Sequence, residues 1–273
     1  MATQTTAPPA SGPKPQPNLQ RKDAWWISPL AFFLLFTAFG LWATFRAFQG
    51  DHYELQNYLS PFYSPTIPLK LKIGGYTISP ALYILVFPLA FRLTCYYYRK
   101  SIYRSYIADP AGCAVAEPKP LAKARFRRYT GERAFPLIAM NFHRFAFYAA
   151  VILIVFLWKD TIDAFLFWNN PTTANEGIHF GIHLGSLVFL VNIVLLTVYT
   201  FSCHSWRHLI GGGVDCYSCS ALSKTRYGMW QKISFLNERH GLWAMMSLIS
   251  VALTDVYVYL ISTHTITDFG LFG

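Results

Sequence analysis

Charge is what this 273-residue sequence has least of. Charged residues make up 13% of it, against about 25% in an ordinary soluble domain. With 53% hydrophobic residues and a mean hydropathy of +0.30, that scarcity excludes a disordered chain and argues against a soluble globular enzyme. Cysteine is scarce as well: five thiols over this length do not make a disulfide scaffold. Acidic residues are outnumbered, 13 Asp and Glu against 23 Lys and Arg, for a formal net charge of +10. No short apolar core with a small-residue cleavage site precedes Trp25, so no cleaved signal peptide is expected.

What the sequence has is long uncharged runs. Residues 24–45, 73–91 and 177–206 carry no charge; 134–158 is interrupted only by Arg144, and 240–267 only by Asp255. A helix needs about 20 mostly apolar residues to cross a bilayer, and spanning strands would be shorter and alternating. The runs therefore predict an all-α integral membrane protein with five transmembrane helices, near 25–48, 77–98, 135–158, 179–204 and 240–262. Residues 1–24, rich in Pro, Ala and Gln, read as a disordered cytoplasmic tail, and 25–273 as the membrane domain. An aromatic, proline-rich cap is expected over 49–76.

Lys and Arg set the orientation. With the N-terminus in the cytoplasm, eighteen of them lie in the tail and the loops 92–133 and 207–239, against four outside: Arg46, Lys70, Lys72 and Lys159. The positive-inside rule fixes that topology. The basic excess is thus a membrane signal, and no nucleic-acid partner is implied.

Histidine and cysteine then fall into a pattern. All five cysteines and His143, His204, His208 and His240 map to the cytoplasmic half; His52, His179, His183 and His264 map outside. Cys95, His143, Cys203 and His240 lie on four different spans, each within about two turns of the inner end. Ionisable side chains in a span mark a functional site by default, although a lone membrane Cys or His is commonly a packing or helix-bridging residue. Two cofactors compete for this set. A b-type haem would take His143 with His240 or His204, and would leave the thiols unused. A Rieske-type [2Fe–2S] centre takes two thiolates on one iron and two imidazoles on the other, at a potential suited to exchange with quinone. A compact local set, His204, His208, Cys216 and Cys219, has the spacing H-x3-H-x7-C-x2-C and offers an alternative zinc or cluster site. Arg144 and His208 are candidates for a quinone carbonyl. Asp255 reads better as a hydrogen-bonding partner for a neighbouring helix than as a proton relay. No nucleophilic or acid–base constellation for hydrolysis is evident.

The strings FRLTCYYYRK, CAVAEP, NFHRF with FYAAV, and SCHSWRHLIGG followed by LNERH resemble the single-chain membrane anchor of actinobacterial-type succinate dehydrogenase or fumarate reductase, respiratory complex II. The likeness runs from Trp25 almost to the C-terminus. It implies a five-helix anchor in the bacterial plasma membrane, with a flavoprotein and an iron–sulfur subunit docked on its cytoplasmic face. It further implies electron transfer to quinone (menaquinone or ubiquinone) through a membrane-embedded Rieske-type cluster in place of haem. The matching ligand candidates are Cys95, Cys113, His143, Cys203, His204, His208 and His240. The expected ligands are Cys95 and Cys203 with His143 and His240; Cys113, or His204, His208, Cys216 and Cys219, are the alternatives.

Overall fold

Apolar runs fold as helices here because, inside a bilayer, only a helix satisfies its own backbone groups along such a stretch. The computed structural model describes residues 23–66, 72–73, 76–108, 110, 112–113, 115, 133, 135, 137–168 and 178–272. The expected tail up to residue 22, the end of the outer cap and most of the loop beyond Cys113 lie outside the described residues.

Helix α1 (Ile27–Gln49) starts with Pro29 in its first turn and stops at Gly50, whose φ of +66° suits the glycine that ends many helices. The second span is α2 (Pro80–Ile84) and α3 (Val86–Leu93), followed by α4 (Tyr96–Ile102). The third is α5 (His143–Asp163), entered through a 3-10 turn at Leu137–Phe142. The fourth is α6 (Leu184–Phe201). A cytoplasmic pair, α7 (His204–Gly211) and α8 (Ala221–Asn237), leads into the fifth, α9 (His240–Ser262). Among the described residues, four helices are long and apolar enough to cross a membrane, and the bent pair Pro80–Leu93 with Tyr96–Ile107 makes a fifth if it counts as one span.

Two expected helices are corrected. The run 77–98 is not one helix: its direction turns by 84° between Leu93 and Tyr96. The run 179–204 is helical only over Leu184–Phe201; residues before it form short strands, and the chain breaks again at Ser202–Cys203. Neither break contains Gly or Pro. Thr94 and Ser202 each bend their hydroxyl back onto their own helix, Thr94 to the Ala90 carbonyl at 2.7 Å and Ser202 to that of Tyr199 at 3.0 Å. Such local bonds compete with helix continuation. The third span, expected at 135–158, starts at Leu137 with a 3-10 turn and runs on as α-helix to Asp163.

Helix α9 packs along α6, and α5 lies between α3 and α6. Their inner-half core holds Phe91, Phe147, Tyr199 and Leu248; the outer half holds Phe62, Tyr63, Ile154 and Ile193. Leu41 and Phe48 on α1 stay exposed, as lipid-facing side chains do. Lipid tails give helices no hydrophobic reason to associate, so packing and internal polar bonds carry the assembly. The principal one is at the outer end. Asp255 on α9 takes hydrogen bonds from Arg46 at 3.0 Å, from Trp42 at 2.8 Å and from the Ser60 hydroxyl. Arg46 also donates to the Asp51 and His52 carbonyls, pinning the cap to the bundle. Asp255 therefore does bond a neighbouring helix, as its sequence position suggests.

Candidate metal centre

The two helix breaks have the same build. Thr94 and Ser202 are the last helix-like residues, with φ and ψ of −83° and −4°, and of −82° and −1°. Cys95 and Cys203 then go extended, at −75° and 130°, and at −64° and 143°, each immediately before a new helix. Both thiols are buried. His143 and His240 are the first residues of α5 and α9. Backbone amides of Tyr97 and Tyr98 reach the Cys95 sulfur, and those of Ser205 and Trp206 reach the Cys203 sulfur.

The side chains meet crosswise. His143 Nε2 lies 3.1 Å from Cys203 Sγ, and His240 Nε2 lies 3.7 Å from Cys95 Sγ. The two thiols lie within electrostatic range of each other, and so do the two imidazoles. Each ring is also held at its other nitrogen: His143 Nδ1 is 2.9 Å from Thr94 Oγ1, and His240 Nδ1 is 2.7 Å from Ser202 Oγ. Each hydroxyl has one proton, and both are committed to helix carbonyls. With the hydroxyl protons so placed, the rings donate through Nδ1–H. The tautomer that this network assigns leaves both Nε2 lone pairs facing sulfur.

Aromatic faces hold the rings flat. Phe91 stacks on His143 at 4.9 Å with planes 3° apart, and Tyr199 stacks on His240 at 5.1 Å and 20°. The buried Arg92 lies 4.8 Å over Tyr199 and donates to the Ala244 carbonyl, Ser247 and the Tyr98 hydroxyl. The Tyr199 hydroxyl is buried, has no nitrogen or oxygen partner among the described residues, and is within reach of the Cys95 thiol.

Of the other sequence candidates, His204 lies within electrostatic range of both imidazoles but turns its ring to His208. Cys113 is exposed. His204 and His208 face each other on α7, Nε2 to Nε2 at 3.0 Å, on the exposed side of that helix. Cys216 and Cys219 are joined to each other in a disulfide and so offer no free thiolate. The local H-x3-H-x7-C-x2-C set therefore does not close. Among the described residues, no three His, Cys, Asp or Glu side chains are grouped to hold one metal ion; Cys95, Cys203, His240 and the half-buried His143 form two facing pairs. Arg144 is exposed. Sequence reasoning missed Thr94, Ser202, Phe91 and Tyr199. The signal available was the hydroxyl residue directly before each buried cysteine.

Residues 27–264 match the family described as actinobacterial succinate dehydrogenase subunit SdhC. The chain belongs to that family. It is similar to a chain of the Mycobacterium smegmatis Sdh1 complex in the apo form, at 40% identity, covering 97% of this chain and 98% of that one, with a TM-score of 0.78. No curated protein matches. The subunit is thus a multi-pass membrane component of succinate dehydrogenase, with no flavin chemistry of its own.

Beside the buried pairs, the subunit has an apolar cavity of about 590 Å³. It runs from Phe62 and Ser64 in the cap to Arg92 and Tyr98 near the cytoplasmic end. Phe91 and Tyr199, the residues stacked on the two imidazoles, are part of its wall, whereas Arg144 and His208 are not. The cavity is thus one aromatic ring away from both histidines.

Proposed function

We propose that this subunit anchors a flavoprotein and an iron–sulfur partner on the cytoplasmic face. Cys95, Cys203, His143 and His240 would hold a Rieske-type [2Fe–2S] centre, beside an apolar cavity that would take a quinone. The observation carrying this reading is the donor set. Two buried thiols face the Nε2 atoms of two imidazoles, and each imidazole meets a hydroxyl at its Nδ1. That is the set a mixed-ligand cluster takes, and the buried Tyr199 hydroxyl, within reach of the Cys95 thiol, would add a donor beside it. When bound, such a cluster supplies a one-electron relay whose potential the neutral imidazoles raise.

The chain's own residues do the rest. The helix N-termini at Cys95 and Cys203 favour ionised sulfur. Phe91, Phe147 and Tyr199 exclude water from the rings. Arg92 brings a fixed guanidinium to the inner end of an otherwise apolar cavity, placed to donate to a quinone carbonyl. The cavity walls accept an isoprenoid tail, with either menaquinone or ubiquinone as the head group.

Low-temperature EPR of the dithionite-reduced complex tests the reading, together with iron and acid-labile sulfide counted per flavin. The expected result is a Rieske-like signal beyond those of the soluble iron–sulfur subunit. Sharp optical haem bands, with no such signal, would instead favour a haem b anchor held by the same two histidines.

A further inference from the structure

The geometry points to Thr94 and Ser202 as a reciprocal pair of positioning residues: each helix break gives its thiol to one half of the site and its hydroxyl to the imidazole of the other half. This inference rests on the cluster reading above and names the groups that orient its ligands.

The connections run in a closed crossing. Thr94 holds His143, whose free nitrogen faces Cys203; Ser202, directly before Cys203, holds His240, whose free nitrogen faces Cys95, directly after Thr94. The two Ser/Thr–Cys units share their backbone angles to within about 15°. They act on spans that are distant in sequence. Ser202 is fully buried, and its carbonyl accepts a bond from Asn237 Nδ2 at 2.8 Å, which ties the break to the start of α9. Because the Ser202 proton goes to the Tyr199 carbonyl and the Thr94 proton to the Ala90 carbonyl, both hydroxyls are left as acceptors. An acceptor behind a ring fixes its tautomer and its rotation, and raises the basicity of the nitrogen in front. The break in each span thereby has a purpose that packing does not explain. It presents the thiol at a helix N-terminus and, in the residue before it, the acceptor that sets the opposite ligand.

The test uses the whole purified complex and reads the metal centre directly. Ser202→Ala and Thr94→Val remove the acceptors at nearly constant volume; Ser202→Thr and Thr94→Ser restore them. Expected for Ser202→Ala and Thr94→Val are EPR intensity per flavin lowered about tenfold, with displaced g-values and a shifted midpoint potential in what remains. The conservative variants should keep the wild-type spectrum and potential. If Ser202→Ala and Thr94→Val assemble with wild-type spectrum and potential, the positioning role is overturned and the cluster reading survives. If both the removing and the conservative variants lose the centre alike, the hydroxyl is not what matters, and the positioning role is likewise overturned. If the wild-type complex itself holds no [2Fe–2S] centre in this subunit, the cluster reading fails and takes this inference with it.

Discussion

Arg46 and Asp255 meet at 3.0 Å with neither side chain exposed to solvent, joining the first and last spans at their outer ends. The guanidinium gives three further N–H bonds, to the Gln49 side chain and two cap carbonyls, so four of its five donors are used. Breaking such a pair leaves one charge buried without a counter-charge, which costs about 3–5 kcal/mol. Arg46→Ala or Asp255→Ala should therefore lower the thermal stability of the solubilised complex by that order. The double replacement Arg46→Met/Asp255→Leu should recover much of it. Differential scanning fluorimetry checks this; a single variant that melts with wild type would contradict it.

Asp268 makes a second anchor, outside the membrane spans. It accepts the Tyr58 and Tyr257 hydroxyls, each at 2.6 Å, and the Gly185 amide at 3.1 Å, and pairs with His183 at 3.2 Å. Burial alone would raise its carboxyl pKa; these donors outweigh burial and hold it below the ordinary value. A carboxyl lowered in the folded state binds fewer protons there than in the unfolded chain. Its stabilisation is therefore complete above about pH 4 and is lost as pH falls through the lower folded value. Asp268→Asn should lower the melting temperature at pH 7, and the gap to wild type should narrow below about pH 4. A gap that stays constant down to pH 3 would show that the carboxylate charge contributes nothing.

Ligand variants should separate the two cysteine–histidine sets. His143→Ala and His240→Ala are expected to abolish the Rieske-like EPR signal and quinone reduction. Succinate oxidation with a soluble dye acceptor should persist, because that reaction needs only the peripheral subunits. Cys216→Ser with Cys219→Ser should leave the signal intact, since those sulfurs are spent on each other. Loss of the signal in the second set alone would move the site to the cytoplasmic pair of helices α7 and α8.

The sequence made the spans legible because bilayer thickness demands long uncharged runs. The last helix was expected at 240–262 and is His240–Ser262; the first, expected at 25–48, is Ile27–Gln49. The four facing Cys and His residues were also legible, since each stands near the cytoplasmic end of its run. The two breaks were not. Thr94–Cys95 and Ser202–Cys203 carry no Gly or Pro at the break itself, and what stops the helix is a side-chain bond and a tertiary partner that hydropathy does not register. Arg46 was missed for a related reason. Counted as an outer flanking charge, it turns inward because Asp255, 209 residues later, awaits it.

Arg92 is where the cavity and the metal-site candidates come closest in chemistry. It lies three residues before Cys95, lines the cavity, and lies 4.8 Å over the ring that stacks on His240. A fork of donors at this point can hold the Ala244 carbonyl with one arm while the other turns to a quinone carbonyl; lysine, a single point charge, cannot do both. Arg92→Lys should keep the complex assembled and its EPR spectrum present, and raise KM for a short-chain quinone by about tenfold, the loss of one hydrogen bond to a charged donor. Arg92→Leu should lower quinone reduction further while dye reduction stays at the wild-type rate. Steady-state kinetics with the two acceptors side by side decide it: equal loss with both would mean that Arg92 only supports assembly, and no loss with quinone would remove it from the quinone site.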